Sequence, residues 1–425
     1  MLIHDLSLFS LFFTSIIVFV LLCKNFLSKN INCYYFIIFI ILFFYCAPVF
    51  LDYIIGEGVL LPIDTRSVYD AMHDLNTKIF YNIYITAILI YFYFKLSSKK
   101  IKKYNLSYND VQVFFNRLKN KSVFLYFLIL MPVFLAFFSL DYEFYYNYVD
   151  RDRANAKILQ IYASKLAIIS IPIIVFLIIK HIDGFKRNPN VYHVFSILFI
   201  SSVLFLNIYI HGKRSIVAAF IFLFITGLLL TKVLNKKTFF ILTLIILCSF
   251  YFFIQGYGKN IEDAKSFLDM YKGLRVDFSR DYSLKFVIFH EIFNDNYVLP
   301  YLGASYLFLL SFYIPRDIWE NKPVPYAVYF TNSVFGNFGD DYFYGWGLTT
   351  SFVSEAVSNL GILGLLFFPI IFSIIIDRVE RLNSIFMKML GYLIMVLLLV
   401  IQPMAIMVLI FVFLLLLTVS KLKFR

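Results

Sequence analysis

The chain has 425 residues, of which 61% are hydrophobic and only 15% charged; soluble domains are nearer about half apolar and about a quarter charged. Long apolar runs recur from end to end, and because they are continuous rather than alternating they exclude a soluble enzyme and a β-barrel in favour of membrane-crossing helices. The formal net charge of +12 does not indicate nucleic acid, because Lys and Arg gather in short segments between the apolar runs, the pattern that sets membrane orientation.

Apolar runs lie near residues 6–23, 33–51, 79–95, 123–140, 163–180, 192–210, 216–232, 238–255, 357–376, 385–401 and 404–420. They predict an all-α polytopic membrane protein with about eleven transmembrane helices. The first run lacks a basic leader and a small-residue cleavage site, so it reads as an anchor. Cys23, Cys33, Cys46 and Cys248 sit in or beside these runs as packing residues, with neither disulfide nor metal spacing. No internal repeat or low-complexity linker appears, so 1–425 reads as one membrane domain.

The connection "KLSSKKIKKYNLSYNDVQVFFNRLKNK" is strongly basic and is assigned to the cytoplasm. Alternation then puts "CKNFLSKN", "KHIDGFKR", "KVLNKK", "DRVERLNSIFMK" and the tail "SKLKFR" inside, and all are basic or nearly so. The loops from Asp52, Asp141 and Tyr257 fall outside, as does the N-terminus. The loop of 257–351 spans on the order of ninety residues, long enough to be functional rather than a plain connection. Within it, Tyr297 to Ile314 is apolar enough to imitate a span. Counting it would put the basic tail outside, so it reads as a helix on or dipping into the outer surface.

Polar residues interrupt this plan at a few places. "DRDRANAK" at 150–157 holds an Asp-x-Asp triplet, which soluble glycosyltransferases use to hold a metal. The central Arg151 would repel a cation, so Arg151 and Arg153 fit phosphate or sugar better, and no metal is expected. In "YIHGKRSIVAAF", His211, Lys213 and Arg214 fall at the outer boundary, against the usual inner preference of basic residues. Charges at membrane depth are costly and often functional; the competing reading is snorkelling.

The long loop opens with Asn260, Glu262 and Asp263 suited to start a helix, and Phe267, Tyr271 and Leu274 on one apolar face. Arg275, Arg280 and His290 follow. Arginine's planar fork suits phosphate, although pairing with Asp277 and Asp281 on a solvated face is an equally simple use. His290 suits a general base or a packed core position. "SFYIPRDIWENKPVPY" then places Arg316, Asp317, Glu320 and Lys322 around Trp319 and three prolines, a mixture fitting a glycan rim. Trp346 is the other tryptophan of the chain. In "GWGLTTSFVSEAVSNLGILG", Ser351, Glu355 and Ser358 or Asn359 share one face of a helix, which must meet protein or a wet cavity. Glu355 could accept a proton, hold a sugar hydroxyl or form an ion pair. There is no Walker loop, dinucleotide fingerprint, nucleophile elbow or zinc spacing.

Three of these pieces resemble the O-antigen polymerase, or Wzy, type of oligosaccharide repeat-unit polymerase. They are the Gly212–Ser215 turn of pattern G-x-R-S, "IPRDIWENKP", and the run from Ser351 through Glu355, Asn359 and Gly361 to Gly364. The resemblance covers about the second half of the chain. Ser354 stands where a glycine is common, and Val357 where an aromatic is common. The resemblance implies the GT-C-like fold of lipid-dependent membrane glycosyltransferases, acting at the outer face of a bacterial cytoplasmic membrane without metal or other cofactor. It implies transfer of a growing glycan from undecaprenyl diphosphate to the non-reducing end of a lipid-linked repeat unit. The pathway's flippase and chain-length regulator would be partners. Catalysis would fall to His290, Glu355 and Arg280, and substrate binding to Arg214, Lys213, Arg275, Arg316, Lys322, Trp319, Arg153 and Asn359. The rivals are an O-antigen ligase and a lipid-linked oligosaccharide flippase; the long loop and missing repeats count against the flippase.

Overall fold

A computed structural model describes residues 2–27, 31–55, 63, 65–98, 122–141, 143–146, 156–231, 271, 275, 279–343 and 347–422. The described residues form helices and turns and no strand. Among the described residues, six helices are long and apolar enough to cross a membrane: Leu2–Phe26, Cys33–Ile55, Leu75–Ser97, Ile158–Arg187, Val191–His211 and Ile362–Glu380. Shorter apolar helices cover Val123–Phe138, Ser215–Thr231, Ile385–Val400 and Pro403–Val419. These helices fall on every expected run except 238–255, which lies outside the described residues, as do Arg151, Arg153, Trp346 and, apart from Tyr271, the expected helix from Asn260.

The spans carry the two-faced pattern of helices between lipid and protein. In α1 (Leu2–Leu27), Leu11, Ser15, Val18 and Leu22 are buried at helical spacing, while Phe9, Phe13, Ile16 and Val20 lie exposed on the other side. A backbone that must satisfy its own hydrogen bonds in lipid selects the helix, and the packed stripe selects its rotation.

The described helices group into two compact units. The first comprises Met1–Lys103, Asn260–Glu380 and Ile394–Met407. It contains α1, α2 (Cys33–Ile41), α3 (Ala47–Ile55), α4 (Arg66–His73) and α5 (Leu75–Ser97). The second comprises Tyr104–Lys259, Arg381–Leu393 and Val408–Arg425. Its helices include α6 (Ser122–Phe138), α7 (Glu143–Tyr146), α8 (Ile158–Arg187), α9 (Val191–His211) and α10 (Arg214–Thr231). The long loop contributes α11 (Asp281–Ile288), α12 (Ala304–Ser311) and α13 (Tyr326–Val334) to the first unit, and α14 (Phe352–Leu360) follows it there. The chain closes with α15 (Ile362–Glu380), α16 (Ile385–Val400) and α17 (Met407–Leu422).

Contacts inside the first unit join helix ends that the charge pattern expects on a common side. Ends expected on the outer side meet: Asp52 of α3 pairs with Arg275 of the long loop. Ends expected inside meet too, since the Cys33 N–H donates to Glu380 and Lys95 pairs with Asp377.

Two expected boundaries shift. The run at 357–376 begins its span at Ile362 instead, because Gly361 takes φ 58° and ψ −137° and ends α14 before the span starts. An L side chain rarely adopts that backbone. The apolar stretch from Tyr297 to Ile314 is helical only over the eight residues of α12. That is about 12 Å of helix, far short of the roughly 30 Å hydrocarbon core. Leu302, Leu310, Tyr313 and Ile318 around it are exposed, the apolar surface that an interfacial location calls for.

Candidate functional site

The loop portion of the first unit hides an unusual number of polar side chains. Every residue of α11 is buried, including Asp281 and Lys285, and so is every residue of α13. Helices of this kind persist only where partners satisfy each polar group.

Two widened, π-helical turns flank α11 in space. One, Leu42–Cys46, joins α2 to α3. It leaves the Phe44 carbonyl to accept the Arg280 N–H at 3.0 Å, and the Tyr45 carbonyl to accept the Tyr81 hydroxyl at 2.8 Å. The second, Phe289–Phe293, continues α11 and carries His290 and Glu291. Such turns recur at functional positions because they redirect side chains and free backbone groups.

Arg275 anchors the most strongly charged cluster. Its Nε and Nη2 donate to Asp52, with Nε to Oδ1 at 3.0 Å. Its Nη1 and Nη2 donate to Asp281 at 2.6 and 2.9 Å. Lys285, one helical turn beyond Asp281, adds a bond from Nζ at 3.1 Å and lies over the Tyr81 ring. Tyr271 donates to Asp52 at 2.8 Å. Although burial pushes Asp281 the other way, the charges of Arg275 and Lys285 hold its carboxyl below the ordinary range. Burial also opposes Arg275's charge, but Asp281 and Asp52 raise its pKa. Of the two uses open to Arg275, phosphate contact and ion pairing, this geometry is the ion pair. The pair is buried rather than solvated; Asp281 is the partner foreseen, Asp52 takes the second place, and Asp277 lies outside the described residues.

Arg280 points elsewhere. Its Nε donates to the Val400 carbonyl at the end of α16, its Nη1 to the Ser279 carbonyl, and its guanidinium lies over the Phe44 ring. A cation at a helix C-terminus meets the negative end of the helix dipole.

His290 is buried among Phe286, Phe289 and Phe338. Its Nε2 lies 3.4 Å from the Ser67 hydroxyl, and Nδ1 has no partner. Burial pushes its pKa down to about 4, against the pull of Ser67 and Asp70. A neutral imidazole with one open nitrogen can accept a proton, and equally fits the packed position weighed for it.

The stripe foreseen on α14 is present and longer than expected. Ser351, Ser354, Glu355, Ser358 and Asn359 are all buried, facing protein rather than lipid. Ser351 and Ser354 cap each other's backbone N–H to start the helix. At its end, Gly364 permits a close return: a Cβ there would lie 2.1 Å from the Ala356 carbonyl oxygen. Glu355 is 1% exposed. Its Oε1 accepts the Ser305 hydroxyl at 2.8 Å, while Oε2 has no partner. The Asn359 amide donates to Ser305 at 2.7 Å, and its Oδ1 is also unpartnered. Burial pushes the Glu355 carboxyl up to about 7, with Ser305 opposing. That value suits a proton acceptor working near neutral pH.

Glu291 was not among the expected residues. It is buried, accepts the Val298 N–H at 2.9 Å, and its carboxyl is likewise pushed up by burial to about 7, opposed by the Val298 N–H and Ser358. One acid inside the apolar run "FVIFHEIF" was the available signal.

The proline-rich stretch has a mechanical explanation. Lys322 is buried and its Nζ donates to the Phe312 and Ile314 carbonyls at 3.0 and 2.8 Å, tying off the chain after α12. Arg316 reaches the Glu320 and Pro323 carbonyls. Asp317 and Glu320 are exposed and Trp319 is half-buried, so the outward face of this tied loop is available to a ligand. Lys213 and Arg214 belong to the second unit, where Gly212 takes the left-handed φ of 65° and turns α9 into α10. His211 beside them bonds Ser164 of α8 at 3.0 Å.

Among the described residues no cluster of three or more His, Cys, Asp or Glu is placed to hold a metal. No protein-family model, curated protein or solved structure significantly matches the chain.

Proposed function

We propose that this chain is a membrane glycosyltransferase of the polysaccharide-polymerase type, for O-antigen or capsule. It would transfer a growing glycan from undecaprenyl diphosphate to the non-reducing end of a lipid-linked oligosaccharide repeat unit. The observation that carries the reading is Glu355: a buried carboxyl with an open oxygen, titrating near neutrality, at the junction between the long loop and the span α15.

The reaction asks for what such a site supplies. An attacking sugar hydroxyl must lose its proton as the glycosidic bond forms, and Glu355 is the acceptor, with Asn359 and Ser305 holding it in place. The departing diphosphate gains charge, which a fixed guanidinium in a dry setting stabilises preferentially in the transition state. Arg280 keeps the catalytic role that the resemblance implies, its Nε and Nη1 donating to the Val400 and Ser279 carbonyls, whereas Arg275 is held by two carboxylates. The Trp319 loop would form the glycan rim, and Lys213 and Arg214 keep the diphosphate-binding role implied by the resemblance. The bacterial cytoplasmic membrane, an outward-facing site and about eleven spans complete the proposal.

The test is to offer the purified protein a lipid-linked repeat unit and resolve products by chain length. A ladder that Glu355→Gln and Arg214→Ala abolish supports the reading. Translocation of lipid-linked glycan without a ladder would make it a flippase, and transfer to a lipid core alone would make it a ligase.

A further inference from the structure

Ser305 makes two bonds of opposite sense at the head of α14. Its Oγ donates to Oε1 of Glu355 at 2.8 Å and accepts from Nδ2 of Asn359 at 2.7 Å. The sense of both is fixed by a third bond. Asn359 Nδ2 also donates to the Glu355 main-chain carbonyl at 2.7 Å, and a carbonyl only accepts, so the amide nitrogen is the atom that faces Ser305. The hydroxyl oxygen takes a proton from the amide and turns its own proton to the carboxyl. An amide donor behind the oxygen and a proton acceptor in front of it are also what an attacking sugar hydroxyl requires.

The helix that delivers this hydroxyl is a single layer. Ala304, Ser305, Phe308 and Ser311 are buried, while Leu302 just before α12, and Leu307 and Leu310 on it, are exposed. The N-cap residue Gly303 takes the left-handed φ of 84°, and a Cβ there would meet nothing within 4 Å. On the Ser305 side, eight residues of helix separate the buried Glu355 from the exterior, and they begin at the residue type with the freest backbone.

We infer that Ser305 Oγ stands in the place of the acceptor sugar's hydroxyl, that α12 is the gate which withdraws it, and that the vacated site takes a vicinal diol. The diol follows from Oε2, which is sealed from water and has no partner. Both oxygens belong to one carboxyl, so hydroxyls on neighbouring ring carbons can meet them together, as the paired N–H groups of a guanidinium do. The first hydroxyl replaces Ser305 between Oε1 and Asn359, and the second supplies the bond that Oε2 lacks. A lone hydroxyl satisfies only one of the two.

The chemical use of the gate rests on the polymerase reading. The oxygen of the first hydroxyl bonds the anomeric carbon of the growing glycan as the bond from that carbon to the lipid diphosphate breaks. The electron pair of the broken bond leaves with the diphosphate, and the hydroxyl proton passes to Oε1 of Glu355. With α12 closed, Ser305 keeps water from the carboxyl, which protects the lipid-linked glycan from hydrolysis.

The gate and its ligand class are testable without the reaction. Dicyclohexylcarbodiimide modifies buried protonated carboxyls, and mass spectrometry of the purified protein locates the adduct. Burial raises Glu355 and Glu291 alike to about 7, so both are partly protonated near neutral pH and Glu291 serves as the internal reference. cis-1,2-Cyclohexanediol should slow modification of Glu355 relative to Glu291, whereas cyclohexanol at equal concentration should not. In Ser305→Ala no hydroxyl competes, so the diol should protect at about two- to tenfold lower concentration, the worth of one hydrogen bond. Equal protection by both alcohols, no protection by the diol, or a Ser305→Ala protein that needs as much diol as wild type overturns the inference. Should the alanine variant fold poorly, Ser305→Gly makes the same comparison. In the ladder assay Ser305→Ala should lower KM for the acceptor repeat unit by a larger factor than it changes kcat; a raised KM would make Ser305 a support for Glu355 and refute the stand-in. A ladder without diol protection sinks the gate alone, and diol protection without any ladder sinks the polymerase reading alone.

Discussion

Removing the Asp281 charge is the sharpest test of how the first unit is held together. Asp281 is 0% exposed and takes two bonds from Arg275 and one from Lys285. In Asp281→Asn, Arg275 keeps Asp52, but Lys285 loses its carboxylate while only 5% exposed. Breaking a buried pair by deleting one partner costs about 3–5 kcal/mol. Thermal unfolding of the detergent-solubilised protein should show the melting temperature fall by several degrees. The double variant Asp281→Asn with Lys285→Met removes the stranded ammonium and should recover part of the loss, an interaction energy of about 0.5–3 kcal/mol. The sign with pH is fixed as well. The folded carboxyl is held below its ordinary value, so the contribution of Asp281 is present above that ordinary value and lost as acid carries the pH through the folded one. A single variant melting like wild type, or a double variant no better than the single, would refute the account of Arg275 as an internal tie.

Four further outcomes follow from the same geometry. The carboxyls of Glu355 and Glu291 titrate near 7 in the fold against an ordinary 4.5, so stability present below 4.5 is lost as pH rises through about 7, by about 3 kcal/mol for Glu355. Glu355→Gln should flatten that decline in melting curves taken across the range. Gly364→Ala drives a Cβ to 2.1 Å from the Ala356 carbonyl oxygen, and should reduce folded yield, measured by size-exclusion chromatography, more than Gly361→Ala. The latter has open space but a strained φ of 58°, worth about 1–3 kcal/mol. Lys322→Met strands the carbonyls of Phe312 and Ile314, costing about 1–3 kcal/mol, and limited proteolysis should cut near 312–322 sooner. Ser305→Ala withdraws the hydrogen bond that favours the Glu355 carboxylate, so the Glu355 midpoint should rise in an infrared titration.

The apolar runs were legible as helices because each is a local property: a run of apolar residues with a helical stripe suffices. The α14 stripe was readable from the spacing of Ser351, Glu355, Ser358 and Asn359. Its separation from α15 was not, because the apolar count runs on through Gly361 and only the backbone dihedrals register the break. Partners distant along the chain were invisible. Asp52 meets Arg275 across 223 positions, and the nearer Asp277 offered a simpler solvated pair. Lys322 looked like part of a ligand rim because its charge is conspicuous in sequence, whereas its bonds to carbonyls depend on where the chain turns after α12.

The two sets of buried polar groups do different kinds of work, and their satisfaction separates them. Around Arg275 the carboxylates of Asp52 and Asp281 face the cations of Arg275 and Lys285, and each charge has an opposite partner. A network so balanced gains little from an incoming phosphate, which would have to displace a carboxylate already in contact. Around Glu355 the balance is missing: Oε2 of Glu355 and Oδ1 of Asn359 are sealed from water without donors. An unsatisfied buried acceptor costs about 1–3 kcal/mol, and on the proposed reading a sugar hydroxyl would donate to one of them. The expectation is therefore asymmetric. Arg275 variants should lose folded protein and ladder together, whereas Glu355→Gln should keep the folded protein and lose the ladder. If Arg275→Lys melts like wild type and yet polymerises nothing, the division between scaffold and site drawn through this core is wrong.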